Sequence, residues 1–235
     1  MLKVSRQPSG APEIFYSIQG EGINAGTPTV FLRLALCNLA CSWCDTKYTW
    51  DWANYDYARE VVSLTNSEVE DQIIGFGCRR IVITGGEPLL QQDALAPLVL
   101  SLNERGFYCE VETNGTLIPQ LCMTQAITQW NVSPKLGNSG NNAGRREVPE
   151  ALRAFRDLDT AYFKFVIAAR ADLKEVDDLL RRYRIPPERI ILMPEGVTSR
   201  EIQSRGQWLV QSCVERGFHF STRLHILLWG DVRGR

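Results

Sequence analysis

The chain of 235 residues has no long apolar run. No stretch approaches the roughly 18 consecutive apolar residues of a membrane helix, which excludes a helical transmembrane span. Met1–Gly10 carries Lys3 and Arg6 but no apolar segment of signal-peptide length, so a cytoplasmic protein is expected. An excess of one charge is also missing. The net charge of −1 excludes a global basic field of the kind that recruits nucleic acid. The paired arginines Arg79-Arg80 and Arg181-Arg182 read as solvated faces. Histidine is scarce: only His219 and His225 are present, so a histidine-rich metal site is excluded. No internal repeat or low-complexity tract stands out, which excludes a solenoid. The seven cysteines are an odd number in a long chain with no visible secretory signal, which argues against a disulfide framework.

What is there is an alternation of strand-like and helix-like segments. Apolar, β-branched runs at 30–34, 81–84, 108–112, 130–132, 162–167, 189–193 and 223–228 predict strands. Between them, Gln91–Arg105, Asp172–Tyr183 and Arg200–Arg216 carry apolar residues three and four apart and predict amphipathic helices. Such alternation implies βαβ units and a mostly parallel sheet, read as a single domain over 1–235. The segment 47–57, rich in Trp, Tyr and Asp, reads as a loop. Residues 137–144, almost without apolar side chains, read as a mobile surface loop.

The unusual residues fall in one place on this map. Cys37–Thr46 follows the first of these strands. Gly85-Gly86-Glu87-Pro88 follows the second, Thr113-Asn114-Gly115 the third, and Ser133-Pro134-Lys135 the fourth. All four lie at carboxyl ends of strands, the face where parallel α/β folds bind ligands.

Three of the cysteines crowd into one short motif, Cys37-x3-Cys41-x2-Cys44. Three thiolates on a short loop can hold three corners of a 4Fe–4S cube, which usually takes four. With no fourth cysteine nearby, one iron is left for a small molecule, and S-adenosylmethionine can occupy it. The alternative is a zinc site completed by a distant Cys or His in a non-catalytic binding module. The remaining four cysteines, Cys78, Cys109, Cys122 and Cys213, read as small core residues.

The motif Cys37-x3-Cys41-x2-Cys44-Asp45-Thr46 resembles the radical S-adenosylmethionine enzymes. Phe15–Gly22 narrows the choice, as do Thr84–Pro88, Glu112–Gly115, Ser133–Lys135 and the tail Leu224–Gly234. Together they resemble the 7-carboxy-7-deazaguanine synthases over nearly the whole chain. The resemblance implies a partial (β/α) barrel of the radical S-adenosylmethionine type. It implies conversion of 6-carboxy-5,6,7,8-tetrahydropterin to 7-carboxy-7-deazaguanine and ammonia, started by a 5′-deoxyadenosyl radical, on the route to queuosine and other 7-deazapurines. It also implies magnesium, a homodimer and a reducing electron donor such as flavodoxin.

Residue by residue, the resemblance gives Cys37, Cys41 and Cys44 to the cluster. Trp43, Cys44, Asp45, Gly86, Ser133, Pro134 and Lys135 would hold S-adenosylmethionine, with Trp43 and Asp45 using backbone groups. Gly85 and Gly86 would let the backbone approach its methionine part. Glu87 would either meet the cofactor ammonium or brace its loop. Thr46 would give a hydroxyl oxygen to magnesium. Ile18, Gln19 and Gly20 would meet the pterin, with Glu21 a partner for its amino group, and Thr84 would also touch substrate. Arg33, a charge inside an apolar strand, would clamp the substrate carboxylate or else form an internal salt bridge.

Three departures follow. The chain runs on past Trp229, so a terminal contact to substrate is not carried over. Met193 stands where some relatives place a cofactor-binding Gln. His225 and Trp229 are assigned to packing or dimer contact. The rival reading within the superfamily is a glycyl-radical-enzyme activase, against which the Gln19–Gly22 motif and Arg33 weigh.

Overall fold

The computed structural model describes residues 1–235. The strands are β1 (Leu2–Ser5), β2 (Ile14–Ile18), β3 (Pro28–Leu34), β4 (Val61–Leu64), β5 (Arg80–Gly85) and β6 (Tyr108–Thr113), followed by β7 (Gln129–Val132), β8 (Ala161–Ile167), β9 (Ile190–Pro194) and β10 (His219–Phe220). The helices are α1 (Tyr57–Glu60), α2 (Asn66–Gly75), α3 (Gln92–Glu104), α4 (Leu121–Ala126), α5 (Ala143–Arg146), α6 (Pro149–Arg156), α7 (Asp172–Tyr183), α8 (Ser199–Arg216) and α9 (Leu224–Trp229).

All ten strands join one sheet in the order β10-β9-β8-β7-β6-β5-β3-β1-β4, with β2 on β3. From β3 to β10 every pairing is parallel. The amino-terminal strands β1 and β2 run antiparallel along the outer edge of β3, and β4 pairs antiparallel with β1. The ends of this order do not pair, so the barrel is partial.

Side-chain alternation gives the sheet two unlike faces. Val30, Leu32 and Leu34 of β3, Ile81 and Ile83 of β5 and Val111 of β6 belong to one buried cluster beneath the helices. Each such side chain contributes roughly 1.5–3 kcal/mol on burial. The intervening positions carry Arg33, Thr84, Glu110, Glu112, Asn131 and Lys164. The concave face is therefore polar, apart from a small patch of Phe15, Phe31 and Val82 in which the two phenyl rings stack at 5.1 Å.

Local chemistry sets the helix ends. Thr65 and Glu68 form a capping box at the start of α2, and Thr198 and Glu201 do the same for α8. Helix α7 carries Asp172 and Glu175 in its first turn and Arg181 and Arg182 in its last, as the helix dipole favours.

Two expectations are corrected. The run 223–228 is not a strand: β10 is His219–Phe220, and Leu224–Trp229 forms α9. A short apolar run fits either state, and here helix geometry buries Ile226 while leaving Leu228 and Trp229 exposed. The segment 137–144 is a short turn, Gly137–Ser139, leading into α5, with Ser139 fully buried. It bonds to the cysteine loop through Ser42 N–H and the Ser139 carbonyl, at 3.0 Å. Of the scattered cysteines, Cys109 and Cys213 are buried, while Cys78 and Cys122 are half-buried against the core.

Candidate active site

A pocket of about 490 Å³ opens at the carboxyl ends of the parallel strands. That is ample for a small metabolite beside a nucleoside-sized cofactor. Cys37, Cys41 and Cys44 share this pocket with Trp43, Asp45 and Thr46. Ile18, Gln19, Gly20, Arg33 and Thr84 line it too, as do Gly86, Ser133 and Lys135. Pro134 is buried next to this wall without lining it.

The three thiols suit a cluster. None is in a disulfide, and Cys41 is buried while the others are half-buried. Burial pushes the Cys37 thiol up to about 12 and raises Cys41 as well, Lys135 pulling the latter back. Ligation by iron would have to displace those protons. Trp50 Nε1 donates to Cys44 Sγ at 3.3 Å, and Asn141 Nδ2 donates to Cys41 Sγ at 3.3 Å. No three Cys, His, Asp or Glu side chains converge on a point that would hold one bare ion. A cube, with its ligand sulfurs spread around it, needs no such convergence.

The loop after β5 packs tightly against the backbone that follows β3. A Cβ on Gly85 would lie 2.0 Å from the Leu34 carbonyl oxygen, and one on Gly86 would lie 1.9 Å from that of Leu36. These glycines admit the backbone leading into the cysteine loop, to which Gly86 and Glu87 donate N–H bonds of 2.9 and 2.7 Å. Glu87 is fully buried and braces the loop. Its oxygens accept from Leu89 N–H, Thr113 Oγ1 and Asn114 N–H at 2.6–3.0 Å. Burial pushes its carboxyl up, against those bonds.

Arg33 forms the internal salt bridge and keeps further donors free. Its Nε bonds to buried Glu13 at 2.9 Å, while neither Nη group has a protein partner. Burial works against its charge, but Tyr48, Glu13 and Asp45 outweigh that and hold it protonated. Glu13 also accepts from Tyr48 OH at 3.0 Å and from Arg233 at 3.3 Å. Gln19 spends its side chain on the sheet, donating to Glu110 at 2.8 Å. Its backbone N–H donates to the Thr27 carbonyl at 2.8 Å and its carbonyl accepts from Gly26 N–H at 2.7 Å. Thr84 Oγ1 donates to Glu112 at 2.8 Å. Lys135 Nζ bonds to Ser133 Oγ at 2.8 Å.

Sequence reasoning missed a charged network on the pocket floor. Glu21 pairs with Lys164 and, at 3.0 Å, with Arg223, which also binds Asp45 and, at 2.6 Å, the Gly196 carbonyl. Burial opposes ionisation of Glu21, yet Lys164, Arg223 and His225 together hold its carboxyl well below the usual range. Asp45 thus uses its side chain on Arg223. His225, assigned to packing, lines the pocket: its Nδ1 sits where a Cβ on Gly20 would lie, 2.1 Å away. Burial lowers its pKa, Glu21 resists and Arg223 reinforces the fall. Met193 lines the pocket, Trp229 does not, and the tail beyond it does return: Asp231 to Arg235 form part of the wall. Arg33, Lys164 and the Glu110/Glu112 pair were legible as charges inside apolar strands; nothing in the sequence marked Arg223.

Residues 34–124 match the Radical SAM superfamily. The 7-carboxy-7-deazaguanine synthase of Pyrobaculum aerophilum is 37% identical over 95% of this chain and 96% of its own. The chain belongs to the 7-carboxy-7-deazaguanine synthase family. The Halobacterium salinarum member of this family is 35% identical over 94% of the chain and 90% of its own. The crystal structure of QueE from Escherichia coli superposes with a TM-score of 0.69 at 29% identity, covering 95% of both chains. The family's radical chemistry requires a 4Fe–4S cluster and S-adenosylmethionine, and the three thiols in the pocket fit that demand. No helix is long and apolar enough to cross a membrane.

Proposed function

We propose that this pocket converts 6-carboxy-5,6,7,8-tetrahydropterin to 7-carboxy-7-deazaguanine and ammonia, with each residue in the following role. Cys37, Cys41 and Cys44 hold the cluster, and Ser133, Lys135 and the backbone at Trp43–Asp45 and Gly86 hold S-adenosylmethionine. When bound, these groups supply the one-electron chemistry that begins ring contraction. The chain's own residues bind and orient the pterin. The backbone at Ile18–Gly20 meets its ring, beside Thr84. The free Nη groups of Arg33 take its carboxylate in a planar, charge-assisted contact. That pair of unengaged donors, on a side chain already fixed through Nε, is the observation that carries the reading. The unbroken sheet from β10 to β4 supports treating 1–235 as one domain.

The test uses anaerobic, reduced enzyme, the carboxylated pterin and no protein partner. Product formation supports the reading; its absence would favour an activase. Arg33→Gln should keep the fold, because Glu13 retains Tyr48 and Arg233. Loss of a charged hydrogen bond worth about 1.5–3 kcal/mol should lower kcat/KM roughly ten- to 150-fold, mostly through KM. An unchanged KM would remove Arg33 from the substrate.

Magnesium binding is assigned to Thr46, whose Oγ1 is 3.6 Å from Cys44 Sγ on the same loop. A hard cation that keeps waters and substrate oxygens needs only one protein oxygen. Thr46→Ala should abolish most of the magnesium stimulation of turnover while leaving slow cofactor cleavage. A magnesium titration identical to that of the parent would exclude this residue. A homodimer, a flavodoxin-like donor and a cytoplasmic location belong to the same reading.

A further inference from the structure

The segment from Gly137 to Arg146 clasps the cysteine loop. Asn138 donates to the Val166 carbonyl at 3.0 Å and to Asp172 at 2.8 Å. Its side-chain Oδ1 is thereby turned to accept from Trp43 Nε1 at 3.2 Å. Arg146 reaches the Asn141 carbonyl at 3.2 Å and the Lys135 carbonyl at 2.9 Å, and pairs with Glu175.

Asn141 is the centre of the clasp. Its Oδ1 accepts from the backbone N–H of Ala40 at 3.0 Å. A backbone N–H can only donate, so this bond fixes which end of the amide is which. Nδ2 must then face Cys41 Sγ, at 3.3 Å, with its second proton toward Ser139 Oγ at 3.2 Å. Trp50 Nε1, a group that can only donate, points at Cys44 Sγ from the other side of the loop at 3.3 Å. Two of the three thiolates thus receive N–H bonds from residues outside the cysteine motif.

We propose that Asn141 and Trp50 set the reduction potential of the cluster through Cys41 and Cys44. Reduction adds negative charge that spreads onto the ligand sulfurs. An N–H aimed at a sulfur stabilises that charge and raises the potential. Cys41 is only 7% exposed, so the bond from Asn141 acts where water screens little. Neither residue touches the reacting atoms; both are positioning residues. The inference rests on the cluster being held by Cys37, Cys41 and Cys44.

The experiment is an EPR-monitored redox titration of the reconstituted holoenzyme, with iron and sulfide measured on each sample. Asn141→Leu and Trp50→Phe should each move the midpoint to more negative values. At a fixed applied potential the reduced-to-oxidised ratio should fall by roughly three- to tenfold, a tenfold fall corresponding to 59 mV for one electron. Asn141→Asp keeps an acceptor for Ala40 N–H but loses the donor, and should shift the same way. It serves if the leucine variant does not hold its cluster. Midpoints equal to the parent's in Asn141→Asp and Trp50→Phe, at full iron content, overturn the proposal, as would a positive shift. Absence of a cluster in the parent protein would instead overturn the reading on which it rests.

Discussion

Replacing Cys41 with alanine yields a folded, colourless protein with no detectable turnover. The expectation follows from how the three thiols are placed. Each is on one loop, between β3 and α1, and each faces the same pocket. Four other cysteines exist, but Cys78, Cys109, Cys122 and Cys213 do not line that pocket and cannot substitute. With two ligands left, the cube is held at only two corners. Folding should survive, because one thiol is a small part of the apolar cluster beneath the sheet, and Cys41 does not belong to it. Anaerobic reconstitution followed by iron and sulfide analysis, absorbance and product assay tests this. Full iron loading with normal turnover in the variant would mean that Cys41 is not a ligand.

Arg223→Leu should have the largest effect on stability of any change in the pocket. The guanidinium joins three chain segments far apart in sequence, at Glu21, Asp45 and Gly196. Removing it leaves exposed Asp45 unpaired and the largely buried Glu21 side chain with Lys164 alone. Breaking a buried ion pair costs about 3–5 kcal/mol. For a chain of this length that lowers Tm by roughly 10 °C. The pH dependence should change too. Glu21 is held below its ordinary value of 4.5, so its contribution is complete above that pH and is lost as acid protonates it. Without Arg223 its pKa rises, and acid unfolding should begin at higher pH. Thermal melts of parent and variant between pH 3 and 7 measure both effects. Parallel curves with a Tm drop under about 2 °C would show that the network is not structural.

The four turns bearing Cys37–Thr46, Gly85–Pro88, Thr113–Gly115 and Ser133–Lys135 could be placed from sequence, because parallel strands were recognisable and their ends converge. The amino-terminal β1 and β2 and the strand β4 escaped: they are short, and their antiparallel pairing depends on partners distant in the chain. Helix α2 escaped as well, although Thr65-x-x-Glu68 has the form of a capping box. The polar face of the sheet was also written in the strands, as Arg33, Glu110, Glu112, Asn131 and Lys164 alternating with apolar residues. Arg223 was not readable, since its meaning depends on three contacts brought together only by folding. The glycines at 85 and 86 were visible, but what they accommodate was not.

Glu87 has one more consequence. Its carboxylate ties the ends of two neighbouring strands together before any small molecule arrives, through Thr113 and Asn114 on one side and Leu89 on the other. The conformational entropy of shaping that part of the wall is therefore lost once, when the chain folds. An incoming cofactor meets a rigid rim, and its affinity is not reduced by having to freeze a loop at every turnover.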